Sequence, residues 1–331
     1  MGVALMTDTA AEGADQACAD GHCERAIPLL EEVIRRYPGD FRLHYRLGMC
    51  YGGSCRPHSL VSPEMAVPYF RQALRLVGGA PRTRADILDE LAGALLRSPG
   101  TMRDQSLRAA IDCHTEAAEI YRSLGGADDW SRTKFNLGNS CCELSEITGE
   151  NHWQEAIGHY EESLRVRTRE KDAARYAAVL ENLGSAYRSL PESDAGGGVR
   201  KSIHLYRHAL AIYSRSAYPG KNAALQNNLG NAYLSLPETD DATAIRNARR
   251  ALRHFDRALS VRSRDRHSRD FGITQYNRAQ AYFRLARHSR STDARPAVDC
   301  LQAALAAFQA CGEDRYMQLV RSQLERLGRS V

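Results

Sequence analysis

Lysine is almost absent from this 331-residue chain: Lys134, Lys171, Lys201 and Lys221 stand against 41 arginines. That bias is of the kind GC-rich bacterial genomes impose, and it carries no functional information. No run of about 18 apolar residues occurs, which excludes a transmembrane helix. Met1 to Met6 shows no charged stretch leading into an apolar one, so no secretory leader is expected there. Phosphate loop, dinucleotide fingerprint and nucleophile elbow are all missing, so no common nucleotide or hydrolase signature is met. The nine cysteines include no Cys-x-x-Cys pair. Several lie beside helix-core positions, which suits a reducing cytoplasm better than a disulfide framework.

Charge is present but uneven. The net formal charge is +5, yet residues 242–295 alone hold 14 arginines against Asp256, Asp265, Asp270 and Asp293. The remainder of the chain is therefore acidic. A hydrophobic content of 43% suffices for a continuous core.

The most specific feature is a repeated phrase. Asn136-Leu137-Gly138-Asn139, Asn182-Leu183-Gly184-Ser185 and Asn228-Leu229-Gly230-Asn231 place their glycines 46 residues apart each time. A fixed period of this size means stacked supersecondary units. Leu183, Gly184 and Tyr187 have helical spacing, and Leu229, Gly230 and Tyr233 repeat it. Downstream of each glycine comes a second pattern: small residue, large residue four later, small residue three after that. Ala156, Tyr160 and Ser163 form one such set; Ser202, Tyr206 and Ala209 form another. Spacings of four and three put all three on one helix face. The frame extends to Ala66, Phe70 and Ala73 after Gly48, to Ala110, His114 and Ala117 after Ala92, and to Ala297, Leu301 and Ala304 after Ala279. Ala251, Phe255 and Ala258 follow a turn three residues longer than the others. Ala26, Leu30 and Val33 continue it at the N-terminus, beside a short helix around Ala14. Pro191 and Pro237 end their helices, and Gly196-Gly197-Gly198 is expected in a mobile turn.

These patterns resemble the tetratricopeptide repeat (TPR) family, with Leu-Gly-x-x-Tyr on helix A and Ala-x-x-x-Phe-x-x-Ala on helix B of each pair. Ala14 to Gly48 keeps that family's 34-residue length, while later units run to 46. The long turns, with Ser-Leu-Pro-Glu at 189–192 and 235–238, look like the arrays of bacterial multidomain proteins. The resemblance implies an all-α, right-handed superhelical solenoid of about seven helix pairs. Residues 1–331 would form one domain, with 314–328 as a closing helix whose Tyr316, Leu319, Val320, Leu324 and Leu327 share one face.

The same resemblance implies where a ligand lies. A helices line the concave groove, and their exposed positions carry over residue by residue. They are Arg42, Tyr45 and Arg46; Asp86, Asp89 and Glu90; Arg132, Phe135, Asn136 and Asn139; Glu181, Asn182 and Ser185; Asn227, Asn228 and Asn231; Tyr276, Asn277 and Gln280. The N-terminal half alternates basic, acidic and basic, so neighbouring helices can pair these charges. The C-terminal half is a ladder of amides, which can bind a peptide backbone or instead tie neighbouring helices together. No lysine occupies these positions, so the lysine-containing carboxylate clamp of chaperone-binding members is unmatched. The expected function is a non-catalytic adaptor or regulatory protein that holds a protein or peptide segment in the groove. The alternatives are an enzyme or small-molecule binder using the same groove, and a regulatory sensor acting with a separate effector.

Other constellations are weaker. Asp86, Asp89 and Glu90 could hold Mg²⁺, but ion pairing with Arg42, Arg46 or Arg132 is the simpler expectation. Cys18, His22, Cys23, Cys50, Cys55 and His58 can be drawn as a zinc site only with uncommon spacings. No metal or cofactor is therefore expected. His114 takes an aromatic core position rather than that of a general base. The arginines of 242–295, above all Arg246, Arg249, Arg250, Arg253 and Arg257 on one helix, suit an acidic protein partner. Without interleaved aromatics or a helix-turn-helix they argue against nucleic acid.

Overall fold

A computed structural model of the chain describes residues 9–53, 62–98, 102–191, 196–291 and 293–328. Among these residues all regular structure is α-helical. The fifteen helices are α1 (Thr9–Ala19), α2 (Cys23–Arg36), α3 (Phe41–Gly52), α4 (Pro63–Leu76), α5 (Pro81–Arg97), α6 (Arg103–Ser123), α7 (Ala127–Thr148), α8 (Trp153–Leu164), α9 (Ala173–Ser189), α10 (Gly197–Leu210), α11 (Pro219–Leu234), α12 (Asp241–Leu259), α13 (Ser268–Ser289), α14 (Arg295–Cys311) and α15 (Asp314–Gly328). They form two compact units, Met1–Arg167 and Thr168–Val331. Inside each unit every helix packs on its chain neighbours. Helices α3 and α5, α9 and α11, and α11 and α13 also touch, so A helices lie beside A helices.

Local chemistry explains the helix ends. Asp40, Asp172 and Asp240 cap α3, α9 and α12 by accepting backbone N–H bonds from Arg42, Arg175 and Thr243. Each such cap contributes about 1 kcal/mol. Proline opens α4, α5 and α11 at Pro63, Pro81 and Pro219, where its missing N–H costs nothing. Gly53, Gly149 and Gly312 close α3, α7 and α14 with φ of 74°, 75° and 70°, a left-handed geometry that glycine adopts without strain.

The repeated glycine has a direct packing role. A Cβ built on Gly138 would lie 2.5 Å from the Tyr160 ring, on Gly184 2.8 Å from Tyr206, and on Gly48 2.7 Å from Phe70. Gly230 meets Phe255 in the same way. Helix A thus presents bare backbone to a ring of helix B. Tyr160, Tyr206, Phe70 and Phe255 are all fully buried, each contributing about 2–3 kcal/mol of apolar burial. Where both faces are small, hydroxyls close the gap. Ser131 Oγ donates to Ser163 O at 3.0 Å and Ser163 Oγ donates to Ser131 O at 2.8 Å, joining α7 to α8.

Two details depart from the sequence frame. In the last pair the glycine–ring contact is made by Gly272 and Phe308, about two helical turns from Ala279 and Leu301, which are themselves buried. The glycine triplet is not a loose turn. Gly197 and Gly198 form the first residues of α10, and Gly196 precedes them at φ 88°. A Cβ on Gly196 would strike Pro237, and one on Gly198 the Tyr187 carbonyl. Gly196 and Gly198 permit close approach.

Candidate functional site

In the first unit the acidic face of α5 meets α7. Asp89 accepts from Arg132 and from Thr133 Oγ1 at 3.3 Å, with His114 Nε2 3.7 Å away. Asp86 accepts from Tyr121 OH at 2.8 Å and lies 3.3 Å from Arg82. Arg82 also reaches Asp129 at 2.7 Å, and Arg132 donates to Asp129 at 3.2 Å. Of the three arginines expected near these carboxylates, Arg132 takes Asp89. Arg42 turns back to Asp40 at 3.1 Å, and Arg46 pairs with Asp15 of α1. Tyr45 packs at 6.0 Å on Phe70. Burial, then the nearby Glu90, Asp86 and Asp89 charges, push its hydroxyl pKa up.

Beside this network Asp89, Glu90, Gly93, Leu96, Arg97, His114, Asn136 and Asn139 line a cavity of 480 Å³. His114 is 1% exposed, and burial pushes its pKa down to about 4, so the ring is neutral at pH 7. Asn139 Oδ1 accepts from Tyr160 OH at 2.8 Å. Phe135 lies 5.9 Å from Tyr160, with the Arg167 guanidinium 5.1 Å above its face.

In the second unit Glu181 is 12% exposed, and Lys221 Nζ is 3.7 Å away. Burial dominates and raises its pKa despite Lys221 and Arg262. Ser185 Oγ shares a 2.9 Å bond with Tyr206 OH. Asn277 Nδ2 donates to Asn227 Oδ1 at 3.2 Å, joining α13 to α11. Gln280 and Gln323 exchange amide bonds of 3.1 and 3.4 Å, joining α13 to α15. Several members of the amide ladder therefore bridge helices. Asn182 and Asn228 are half-buried, and Tyr276 packs beside the core of α13 and α14.

A larger cavity, 920 Å³, opens beside this ladder. Asn231, Asn277 and Gln280 line it together with Arg188, Glu238, Phe283, Arg284, Arg287 and His288. Glu238 Oε1 is 2.7 Å from Arg284 Nε and its Oε2 is 3.0 Å from His288 Nε2. His288 Nδ1 reaches Asp241 at 2.7 Å. Arg188, Arg284 and Arg287 are absent from the sequence-derived set. Their spacing could have found them: Arg188 follows Ser185 by three residues and Arg284 follows Gln280 by four, one turn further along the same face. Arg97 stands in the same relation to Gly93.

The arginine-rich stretch divides into surface and interior. Arg246, Arg249, Arg250, Arg253 and Arg257 are all exposed along α12. Arg262 is 8% exposed and donates to Thr274 Oγ1 at 2.8 Å. It is a buried strut between segments, with its pKa lowered chiefly by burial. Of the drawn zinc set, Cys55 and His58 lie outside the described residues. Among the described residues no group of three His, Cys, Asp or Glu could hold a metal ion, and no helix is long and apolar enough to cross a membrane.

No family model matches the sequence, and no curated protein matches it. Solved structures do. The C-terminal part of a TPR repeat-containing protein from Cytophaga hutchinsonii is 13% identical, covering 89% of this chain and 93% of its own, with a TM-score of 0.54. The APC/C hetero-tetramer Cut9–Hcn1 is 14% identical over 93% of this chain and 48% of that one, with a TM-score of 0.52. At these identities the likeness is one of fold, and that fold is the all-α TPR solenoid.

Proposed function

We propose that this chain, which has the TPR fold, is a non-catalytic scaffold that holds an extended peptide segment of a partner protein on its A-helix face. The observation that carries this reading is the 920 Å³ cavity of the second unit. Three amides (Asn231, Asn277, Gln280) and three guanidinium groups (Arg188, Arg284, Arg287) converge on it. Amides offer donors and acceptors to a peptide backbone, and guanidinium forks suit its carbonyls and carboxylates. In the first unit Asp89, Glu90, Asn136 and Asn139 give the smaller cavity a more acidic lining. A chain built this way would act as an adaptor, or as the sensing part of a regulator whose effector is a separate module.

The test uses an array of random twelve-residue peptides. Binders are retained, and their affinities are measured by calorimetry against the double variant Asn231→Ala/Arg287→Ala. A loss of tenfold or more with unchanged helicity is expected. The reading fails if no peptide is retained, or if every retained peptide binds the variant equally well.

A second reading rests on a separate observation. The five exposed arginines of α12 form a stripe at spacings of three and four. Such a stripe fits an acidic protein surface. Substituting Arg249, Arg253 and Arg257 with Gln should then weaken the partner and its salt dependence together.

A further inference from the structure

Cys18 lies on α1 and Cys50 on α3, and their Sγ atoms are 3.9 Å apart. They are separated by 32 residues of sequence. Cys50 is fully buried, whereas Cys18 is half-buried and so within reach of a small oxidant. A disulfide needs a sulfur separation of about 2 Å. The remaining approach is within what side-chain rotation and a small shift of α1 supply. α1 can make such a shift. It is only 11 residues long. Its Ala11, Ala14 and Ala17 pack into the core it shares with α2 and α3, and Asp15 pairs with Arg46 at the surface.

Among the described residues, four other cysteines have different surroundings. Cys142 Sγ sits 3.6 Å from Tyr160 OH, and Cys300 Sγ accepts from Arg278 at 3.9 Å. Cys311 donates to the backbone of its own helix. Cys113 is half-buried, and burial pushes its thiol pKa up to about 11, which suppresses the reactive thiolate.

From this geometry we infer that Cys18 and Cys50 are a reversible disulfide site, closed by a two-electron oxidant of the peroxide class. The Cys18 thiolate attacks one oxygen of hydrogen peroxide. The O–O bond breaks, the sulfur becomes a sulfenic acid, and the departing hydroxide takes a proton to become water. The Cys50 sulfur then attacks the sulfenic sulfur. The S–S bond forms, the S–O bond breaks, and the leaving hydroxide combines with the Cys50 proton as a second water. The two sulfurs together lose two electrons, and the peroxide gains them. A dithiol reductant reverses the step by thiol–disulfide exchange.

The bond would tie α1 to α3 across the end of the first unit. Cys50 is four residues beyond Arg46 and five beyond Tyr45, so the linked form holds their helix against α1. Any effect on a partner rests on the proposed peptide-binding role, but the bond itself does not.

The full chain, reduced and then exposed to hydrogen peroxide, is blocked with iodoacetamide and mapped by mass spectrometry after digestion with trypsin and chymotrypsin. Expected is a Cys18–Cys50 linked peptide, an intact mass lower by two hydrogens, and slowed hydrogen exchange in α1. Dithiothreitol should reverse all three. Cys18→Ser and Cys50→Ser should each abolish the link. The mapping on the unsubstituted chain stands even if a variant folds poorly. A link confined to other cysteines, or oxidation to sulfinic acid without a link, overturns the inference. So does an undiminished two-hydrogen mass loss in Cys18→Ser. A confirmed link with no change in peptide affinity leaves the modification site intact and separates it from the binding reading.

Discussion

The glycine of the repeated phrase acts by the absence of one methyl group. Restoring that methyl at Gly138 or Gly184 would drive it into the ring of Tyr160 or Tyr206, at 2.5 and 2.8 Å. Both rings are closed in by the core and cannot retreat. Gly138→Ala and Gly184→Ala are therefore each expected to destabilise by about 1–3 kcal/mol despite alanine's better helix propensity. Gly78→Ala is the control, since a Cβ there meets nothing within 4 Å. Urea midpoints of the three variants decide the matter, and equal midpoints would remove the packing role. The pair α5 and α6 shows the same rule inverted. Ala92 precedes His114 by 22 residues, the interval that separates Gly138 from Tyr160 and Gly184 from Tyr206. Alanine there goes with the smaller imidazole. His114→Tyr alone should overpack the site, and His114→Tyr with Ala92→Gly should recover part of the loss. A double-mutant cycle is expected to show about 1 kcal/mol of favourable coupling; additive effects would break the proposed match.

At the scale of elements, the sequence made the helix pairs legible because small–large–small spacing is a local property of one helix face. The closing segment was readable for the same reason, except that Leu319, expected on the same face, is 44% exposed: α15 puts Val320 at 0% exposure, and Tyr316 stacks 4.9 Å from Phe308. What could not be read depends on the partner element. The Gly196–Gly198 triplet looks like a flexible turn until Pro237 and the Tyr187 carbonyl are seen against it. Arg262 looks like one more surface arginine until Thr274 is placed beside it. The candidate site divides similarly. Asn231 and Asn277 line the larger cavity and stand at positions that the family resemblance implied, but the arginines of that cavity lie beyond the repeat positions. Val320→Asp buries a charge with no partner and should cost about 3 kcal/mol or more. Arg321→Asp, its exposed neighbour, should stay within about 0.5 kcal/mol of the parent. Thermal melts of the two variants test α15 as a structural cover; equal melting temperatures would show that it covers nothing.

Across the whole molecule, each unit carries a histidine that resists protonation, His114 buried and His254 half-buried. His114 of the first unit and His254 of the second are both pushed down to about 4, chiefly by burial. His254 also has Arg257, Arg207 and Arg253 around it, and it stacks 5.4 Å from Tyr233. An unfolded histidine titrates near 6.5. Between about 4 and 6.5 the unfolded chain therefore binds more protons than the folded one. The contribution of these two rings to stability therefore rises with pH through that window, is complete above it, and is lost as the solution is acidified. The slope approaches about 1.4 kcal/mol per pH unit for each histidine. The units can be followed separately, because Trp130 and Trp153, the chain's two tryptophans, both lie in the first unit. Urea titrations between pH 4.5 and 7.5, read by tryptophan fluorescence and by far-ultraviolet circular dichroism, should both show midpoints rising with pH. His114→Asn should reduce the fluorescence-detected dependence, leaving the part that half-buried His159 contributes. His254→Gln should leave that dependence in place and flatten only the remainder seen by circular dichroism, provided the units unfold independently. If unfolding is instead concerted across both units, the two probes coincide and each variant removes part of a common slope. Midpoints that stay constant from pH 5 to 7 would show that neither ring is held neutral by the fold.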